Sequence, residues 1–299
     1  AAATNNISVI DTLNKSVING HYGEIFKAKD SAIITRRGLA VNIIDQDSLY
    51  IHADTLIATG PTEKKILRGY YDVRIFKTDL RGKSDSLHLD QSTGLIKLLK
   101  LPLSRKENQI LTASQKNKKN PILWFGRSQM SGDKIFLTSN METKKLDSLK
   151  IIGNSWIIER DSISDTGFNQ IKGGVLDGLF KEGELREIDV SKNTEVVYYM
   201  YSDEDNELIG IDKTTCSRLK MVTRENQIED ITFFVSPDGN LFPDKDLPLN
   251  ERKLEGFIWR EDERPDTIQE LFSKEDNQFQ PTEIKEVSIP EDFLQKIDK

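Results

Sequence analysis

Residues 124–161 read WFGRSQMSGDKIFLTSNMETKKLDSLKIIGNSWIIERD, and this stretch sets the pattern for the whole chain. Apolar residues occupy every second position, as at Ile135 and Leu137 and again at Leu149 and Ile151. A period of two is typical of a β-strand with one buried face, because successive side chains point to opposite sides. Each run ends on Gly, Asn, Asp or Ser, which favour turns. The stretch therefore predicts short strands joined by turns.

A short motif opens several of these strands. It reads Asp-Ser-Leu or Asp-Thr-Leu and begins at Asp47, Asp54, Asp85 and Asp147. Long helical periodicity is absent, so the pattern favours an all-β sandwich, barrel or solenoid. Because the motif recurs at unequal intervals, a solenoid with equal rungs fits poorly, and we expect two facing antiparallel sheets.

The alternating apolar residues are the main functional candidates, since they predict one continuous apolar surface between the sheets. An ordinary closed core would have the same pattern. The predicted inward-facing residues are Leu49, Ile51, Val73, Ile75, Leu87, Leu89, Ile135, Leu137, Leu149, Ile151, Trp156 and Ile158.

Composition limits the classes of function. The chain has 299 residues, 30% of them charged, and a formal net charge of -7, which argues against binding a nucleic-acid backbone. The single cysteine, Cys216, excludes an internal disulfide framework. The first six residues lack the basic and apolar regions of a signal peptide, so the sequence suits either a cleaved precursor or an excised fragment.

Catalytic and metal-binding signals are weak. The sequence has no nucleophile elbow, P-loop or dinucleotide fingerprint, and we predict neither an enzyme nor a cofactor. We expect His52 and His88 to be surface residues on the polar faces of their strands. The acidic run from Asp203 to Glu207 lacks the full calcium-loop pattern, so it predicts a solvated turn. A carbohydrate-cleaving enzyme on a β-helix would need a clear cluster of Asp, Arg or Lys.

Two segments depart from the strand pattern. Residues 101–120 are polar and basic and end before Pro121, which predicts a mobile loop or a boundary between two stacked lobes. We expect the last strand at residues 253–260 and a loosely attached tail over residues 265–299. Within that tail, residues 267–273 predict a short helix. Ser288 and Glu291 suggest a capping box for another.

Five stretches together resemble the organic-solvent-tolerance (OstA-like) family of lipopolysaccharide-transport β-jelly-roll proteins from Bacteroidota-type bacteria. The resemblance extends from about residue 39 to residue 265. The stretches are 68–76 (RGYYDVRIF), 167–173 (GFNQIKG), 185–199 (LREIDVSKNTEVVYY), 210–218 (GIDKTTCSR) and 256–265 (GFIWREDERP).

The resemblance implies a V-shaped pair of antiparallel sheets, called a β-taco or β-jelly roll, over residues 1–264. It also implies a periplasmic protein of the outer-membrane transport machinery that shields the acyl chains of lipopolysaccharide between its sheets. Edge strands, at residues 7–10 or 253–259, would pair with other transport proteins or with a second copy. The alternative is a cell-surface polysaccharide-binding β-sandwich or β-solenoid module.

Overall fold

A computed structural model describes residues 1–279 except 13–14, 45–46, 144, 165, 203 and 225–226. It contains sixteen strands and two short α-helices. The strands are β1 (Ala2–Asp11), β2 (Ser16–Phe26), β3 (Ser31–Ile44), β4 (Asp47–Thr59), β5 (Ile66–Lys77), β6 (Leu80–Asp90), β7 (Leu95–Leu99), β8 (Ile122–Phe125), β9 (Ser128–Ser131), β10 (Lys134–Ser139), β11 (Leu146–Arg160), β12 (Phe168–Lys181), β13 (Glu184–Tyr201), β14 (Leu208–Arg224), β15 (Gln227–Phe234) and β16 (Asp238–Phe242). The helices are α1 (Arg105–Ile110) and α2 (Ala113–Lys118). This composition confirms the prediction of an all-β fold.

The strands form one antiparallel sheet in which most neighbours along the chain are also neighbours in space. The order is β1-β2-β3-β4-β5-β6-β7-β10-β11-β12-β13-β14-β15, with β8, β9 and β16 attached beside this path. Such a meander needs only short hairpin connections, which explains the frequent turn residues between the apolar runs.

The sheet is folded along a line that crosses the middle of every long strand. At this line Tyr70 pairs with Ser86 and Val73 with Ser84, so two residues of β5 oppose one residue of β6. The inserted residues of β5, Tyr71 and Asp72, have φ angles of 62° and 45°. Equivalent left-handed pairs occur at residues 5–6, 36–37, 153–154 and 192–193. Because a bulge bends its strand, each long strand passes here from one half of the sheet to the other.

We call the two parts the first and second half-sheets. The first contains residues 2–4, 22–26, 31–35, 55–59, 66–70, 86–90, β7, β10, 146–152, 175–181, 184–191, 218–224 and β15. The second contains residues 7–11, 16–19, 38–44, 47–52, 73–77, 80–84, β8, β9, 155–160, 168–172, 194–201, 208–216 and β16. Their inner faces meet in one hydrophobic core, in which Leu49 and Val73 of the second half-sheet join Leu87 and Leu137 of the first.

Residues 100–121 interrupt one strand at the fold line. Its two halves are β7, which pairs with the end of β6, and β8, which pairs with the beginning of β6. Where the sequence predicted a loop, the structure has two short helices, α1 and α2, with capping boxes at Ser104–Glu107 and Thr112–Gln115. Residues on both sides of the insert, such as Ile34 and Leu176, belong to the same core cluster, and the boundary between two lobes stays a prediction. No helix in the described ranges is long and apolar enough to cross a membrane.

Residues 247–279, which we call the strap, cross the outer face of the second half-sheet. The strap begins at Leu247, which packs against Val197 and Ile211, and ends near β3, where Asp276 accepts a hydrogen bond from the Arg37 N–H. It contains 3-10 turns at Leu249–Glu251, Glu261–Glu263, Ile268–Leu271 and Asp276–Gln278, and no strand. Other 3-10 turns occur at Lys27–Lys29, Thr62–Lys64 and Asp244–Asp246.

The strap corrects two predictions. Residues 253–260 do not form a terminal strand, and Phe257 instead packs against Phe168 with ring centroids 5.1 Å apart. Residues 265–279 are not loosely attached, since Leu271 is 0% and Phe272 6% exposed against β3 and β4 residues. The helix predicted at residues 267–273 is a 3-10 turn, Ile268–Leu271. The capping box at Ser288 lies outside the described residues, and the domain boundary at residue 264 stays a prediction.

Candidate functional site

Ten of the twelve predicted inward residues lie together in the core between the half-sheets. These ten, Leu49, Ile51, Val73, Ile75, Leu87, Leu89, Ile135, Leu137, Leu149 and Ile151, are each between 0% and 6% exposed. Their side chains belong to a single cluster between the half-sheets. A role of these residues in lipid binding stays a prediction.

Trp156 and Ile158 do not face the core, which corrects their assignment. In β11 the inward positions are Leu149, Ile151 and, beyond the fold line, Ile157. At the bulge, Gly153 and Asn154 oppose a single residue of β12, and odd-numbered positions of β11 face inward on both sides of it. Trp156 and Ile158 could share the inward face with Leu149 and Ile151 only if the strand changed face between residues 151 and 156, and this bulge does not produce that change.

The outward face at Trp156 and Ile158 is covered by the strap. An ideal Cβ at Gly256 would lie 3.5 Å from the Trp156 ring, and the backbone of Gly256 has a φ of 89°, which favours glycine. Trp156 and Ile158 also line a cavity of about 530 Å³ together with Asn117, Gly256 and Ile258. The exterior of the second half-sheet is therefore a second buried layer.

Two buried glutamines attach the strap to the sheet through backbone hydrogen bonds. Gln129 on β9 donates to the Ile258 carbonyl at 2.8 Å and accepts from the Arg260 N–H at 2.7 Å. Gln170 on β12 donates to the Arg252 carbonyl at 2.7 Å and accepts from the Leu254 N–H at 2.9 Å. Each amide thus pairs with a carbonyl and the N–H two residues further on, as a neighbouring strand would.

His52 is not a surface residue, because the end of the strap covers it. It is 0% exposed, its Nδ1 lies 2.7 Å from the Gly38 carbonyl oxygen, and its Nε2 lies 3.3 Å from Asp276 Oδ2. The ring also contacts Phe272, with centroids 5.2 Å apart. Burial alone would raise the pKa of Asp276, but the nearby His52 ring and the hydrogen bonds from Ser273 outweigh it and hold this pKa well below its usual range. His88 is half-buried on its strand.

The interior opens at the lips, which we define as the strand ends farthest from the fold line. Near β1 a pocket of about 520 Å³ lies between the lips of the two half-sheets. Its apolar wall includes Val9 and Ile18 of the second half-sheet and Ala32, Ala58 and Leu67 of the first. This volume is within the range of small-molecule sites, so an apolar ligand fits here without displacing the core. We call this cavity the lip pocket.

Polar and charged residues line the rim of the lip pocket. Lys27 and Lys65 lie on the first half-sheet side, and the Lys65 ammonium donates to the Gly60 carbonyl at 2.9 Å. Ser16, Asn42 and Gln91 also line the pocket. Ile25, a further lining residue, is 39% exposed, which is unusual for an isoleucine in a core position. The pocket therefore combines an apolar wall with a hydrogen-bonding rim.

A smaller cavity of about 50 Å³ lies between the half-sheets farther along the lips. Its lining includes Phe125, Tyr198, Met221 and Ile228. Among the described residues no group of three His, Cys, Asp or Glu side chains is placed to hold a metal ion. Asp203, the first residue of the acidic run, lies outside the described residues.

No protein-family model matches the sequence, and a search of curated proteins found no match. Among solved structures, the fold is similar to the crystal structure of LptH, the LptA homologous periplasmic component of the conserved lipopolysaccharide transport device from Pseudomonas aeruginosa. The two share 10% sequence identity with a TM-score of 0.37, and the match covers 55% of this chain and 95% of that chain.

Proposed function

We propose that this protein is a periplasmic lipopolysaccharide-binding protein that shields acyl chains between its half-sheets and passes lipid toward the outer membrane. It acts as a carrier and scaffold and does not catalyse a reaction. The lip pocket is the observation that carries this proposal, because its apolar wall is open to solvent at the lips. Burying a methylene group stabilises a complex by about 0.8 kcal/mol, so even part of an acyl chain contributes substantially.

The charge at the rim supports an anionic amphipathic ligand. Lys27 and Lys65 lie at the pocket opening, where they can meet phosphate or carboxylate groups while the acyl chain contacts Ile18 and Leu67. Asp11 and Asp30 also line the pocket, so its rim carries charges of both signs and is not a site for any anion. A ligand with both an acyl chain and a polar head suits this arrangement better than a plain hydrocarbon.

Crosslinking in the intact chain tests this function. A photoreactive amino acid replaces Ile25, which lines the lip pocket and is 39% exposed, or Ile152, which is 37% exposed on β11 next to the inward Ile151. The two positions are matched in residue type and exposure, and they differ in the face that they occupy. After irradiation of whole cells, we expect a lipopolysaccharide adduct at Ile25 and none at Ile152. Equal labelling, or no adduct at Ile25, would contradict the proposal.

Polysaccharide binding, the alternative, needs aromatic rings that face solvent. Trp124 and Trp156 are only 2% and 7% exposed, so neither ring offers a stacking platform, whereas Tyr71 on β5 is 61% exposed. The apolar wall of the lip pocket suits an acyl chain better than a glycan.

A further inference from the structure

A polar bridge crosses the lip pocket from one half-sheet to the other. The Gln91 side-chain amide, on the first half-sheet side, donates to Asn42 Oδ1 at 3.2 Å and to Ser16 Oγ at 3.4 Å on the second. The backbone N–H of Gln91 donates to the Lys65 carbonyl at 3.0 Å, which fixes the residue beside that lysine. We call Ser16, Asn42 and Gln91 the clasp.

Two of the three clasp residues are buried in the lining of the cavity, and the third, Gln91, is partly buried. Ser16 is 5% and Asn42 7% exposed, and all three residues line the lip pocket beside Ile18 and Leu67. Polar groups in such a position cost free energy unless they are fully hydrogen-bonded. A core of the same size made of apolar residues would hold the two lips together without that cost.

One atom of the clasp has no partner among the described residues. Gln91 Oε1 is buried and accepts no hydrogen bond there. Native proteins rarely leave a buried acceptor unpaired, because the group loses its water without a replacement. An acceptor of this kind, beside the apolar wall of the pocket, is suited to a ligand that brings its own donor.

We infer that the clasp is a specificity-determining subsite for an acyl chain that carries a hydroxyl group near its polar end. The inference rests on the proposed function, since it concerns the same pocket. The hydroxyl donates to Gln91 Oε1, and the anionic end of the ligand lies toward Lys65, whose backbone is hydrogen-bonded to Gln91. The rest of the chain contacts Ile18, Ala58 and Leu67 on the wall of the pocket.

Two probes that differ by one hydroxyl group test the inference. Decanoic acid and 3-hydroxydecanoic acid have the same chain and charge, and their affinities for the full chain are measured by titration calorimetry below the micelle concentration. We expect the hydroxy acid to bind about 3- to 10-fold more tightly, the effect of one net hydrogen bond. In Gln91→Leu this preference disappears while decanoic acid still binds, because the apolar wall is unchanged.

A matched control and a second variant make the result decisive. Gln269→Leu makes the same substitution at an exposed position of the strap and keeps the preference of the wild type. Gln91→Met, which retains a flexible side chain of similar length, repeats the loss of preference if Gln91→Leu fails to fold. An unchanged preference in the folded Gln91 variants overturns the clasp inference and leaves lipid binding intact. Failure of the wild type to bind either acid overturns both the inference and the proposed function.

Discussion

At the scale of single residues, two buried glutamines supply hydrogen-bond partners for the backbone of the strap. Gln129 and Gln170 are 1% and 0% exposed, and each satisfies two backbone groups of the strap. The strap has no strand, so its backbone groups pair within its own turns or with side chains and not with a neighbouring strand. Its attachment therefore rests on a few named amides and not on a continuous ladder of hydrogen bonds.

Replacing Gln129 by Leu removes both hydrogen bonds while keeping a similar volume. The Ile258 carbonyl and the Arg260 N–H then remain buried without a partner, which we expect to lower the free energy of unfolding by about 2–4 kcal/mol. Urea denaturation measures the loss, and hydrogen exchange at the Arg260 amide reports its position. Gln278→Leu, at an exposed site of the strap, is the control and changes stability by less than about 0.5 kcal/mol. Equal effects of the two substitutions would show that the strap does not need the amide.

At the scale of elements, the strap is also held by charge. Arg260, which is 4% exposed, donates to Glu263 at 2.8 and 3.0 Å, and Lys83 of β6 donates to the same carboxylate at 2.7 Å. Burial alone would raise the pKa of Glu263, but these hydrogen bonds outweigh it and lower the pKa from 4.5 to about 2. A carboxylate with a depressed pKa stabilises the folded state only while it is ionised.

The strap should therefore loosen in acid. The contribution of Glu263 is fully present above its ordinary pKa of 4.5 and is lost as the pH falls toward about 2. We expect this loss to be roughly 1–2 kcal/mol, because partial exposure screens the interaction. The difference in the free energy of unfolding between wild type and Glu263→Gln, measured across that range, isolates it from other carboxylates such as Asp276. The difference should shrink as the pH falls, and a constant difference would refute the role of ionisation.

At the scale of the whole molecule, a folded meander leaves an unpaired edge at each end. Among the residues that the structure describes, β1 pairs only with β2, and β15 and β16 pair only with β14. Free edges favour pairing with another chain unless charge or proline blocks them. Ile10 on β1 is 64% exposed, and no proline lies in this strand. With residues 253–259 in the strap, β1 is the remaining predicted edge for contact with a second copy or another transport protein.

Ile10→Lys should weaken any such association. A lysine on an edge strand opposes pairing, because its charge would have to be buried in the new sheet. Light scattering after size-exclusion chromatography, over a range of concentrations, measures the mass of the wild type and the variant. Ile110→Lys in α1, where isoleucine is 65% exposed, is the matched control and should behave as the wild type. A wild type that stays monomeric and binds no transport component would rule out the bridging role and leave lipid binding open.

Local patterns in the sequence determined the strands, the turns and most of the inward-facing set. The alternation of apolar and polar residues is visible between positions two apart in the sequence. Leu49, Val73 and Ile135 could therefore be assigned to a buried face without knowledge of their partners in the fold. The two capping boxes in residues 101–120 are equally local. Ser104 with Glu107, and Thr112 with Gln115, were sufficient to predict short helices where we expected a mobile loop.

Only the tertiary structure decided what lies on the outer face. The contacts between His52 and Asp276, and between Gln129 and Arg260, join residues that are far apart in the sequence. The strap has no periodic pattern, because an irregular segment is held by individual hydrogen bonds and not by repeating pairs. The face occupied by Trp156 depended on the backbone geometry of the bulge at Gly153 and Asn154, which alternation alone does not encode. Whether an outward residue is buried thus depends on a segment far away in the sequence, whereas the formation of its strand depends on the residues next to it.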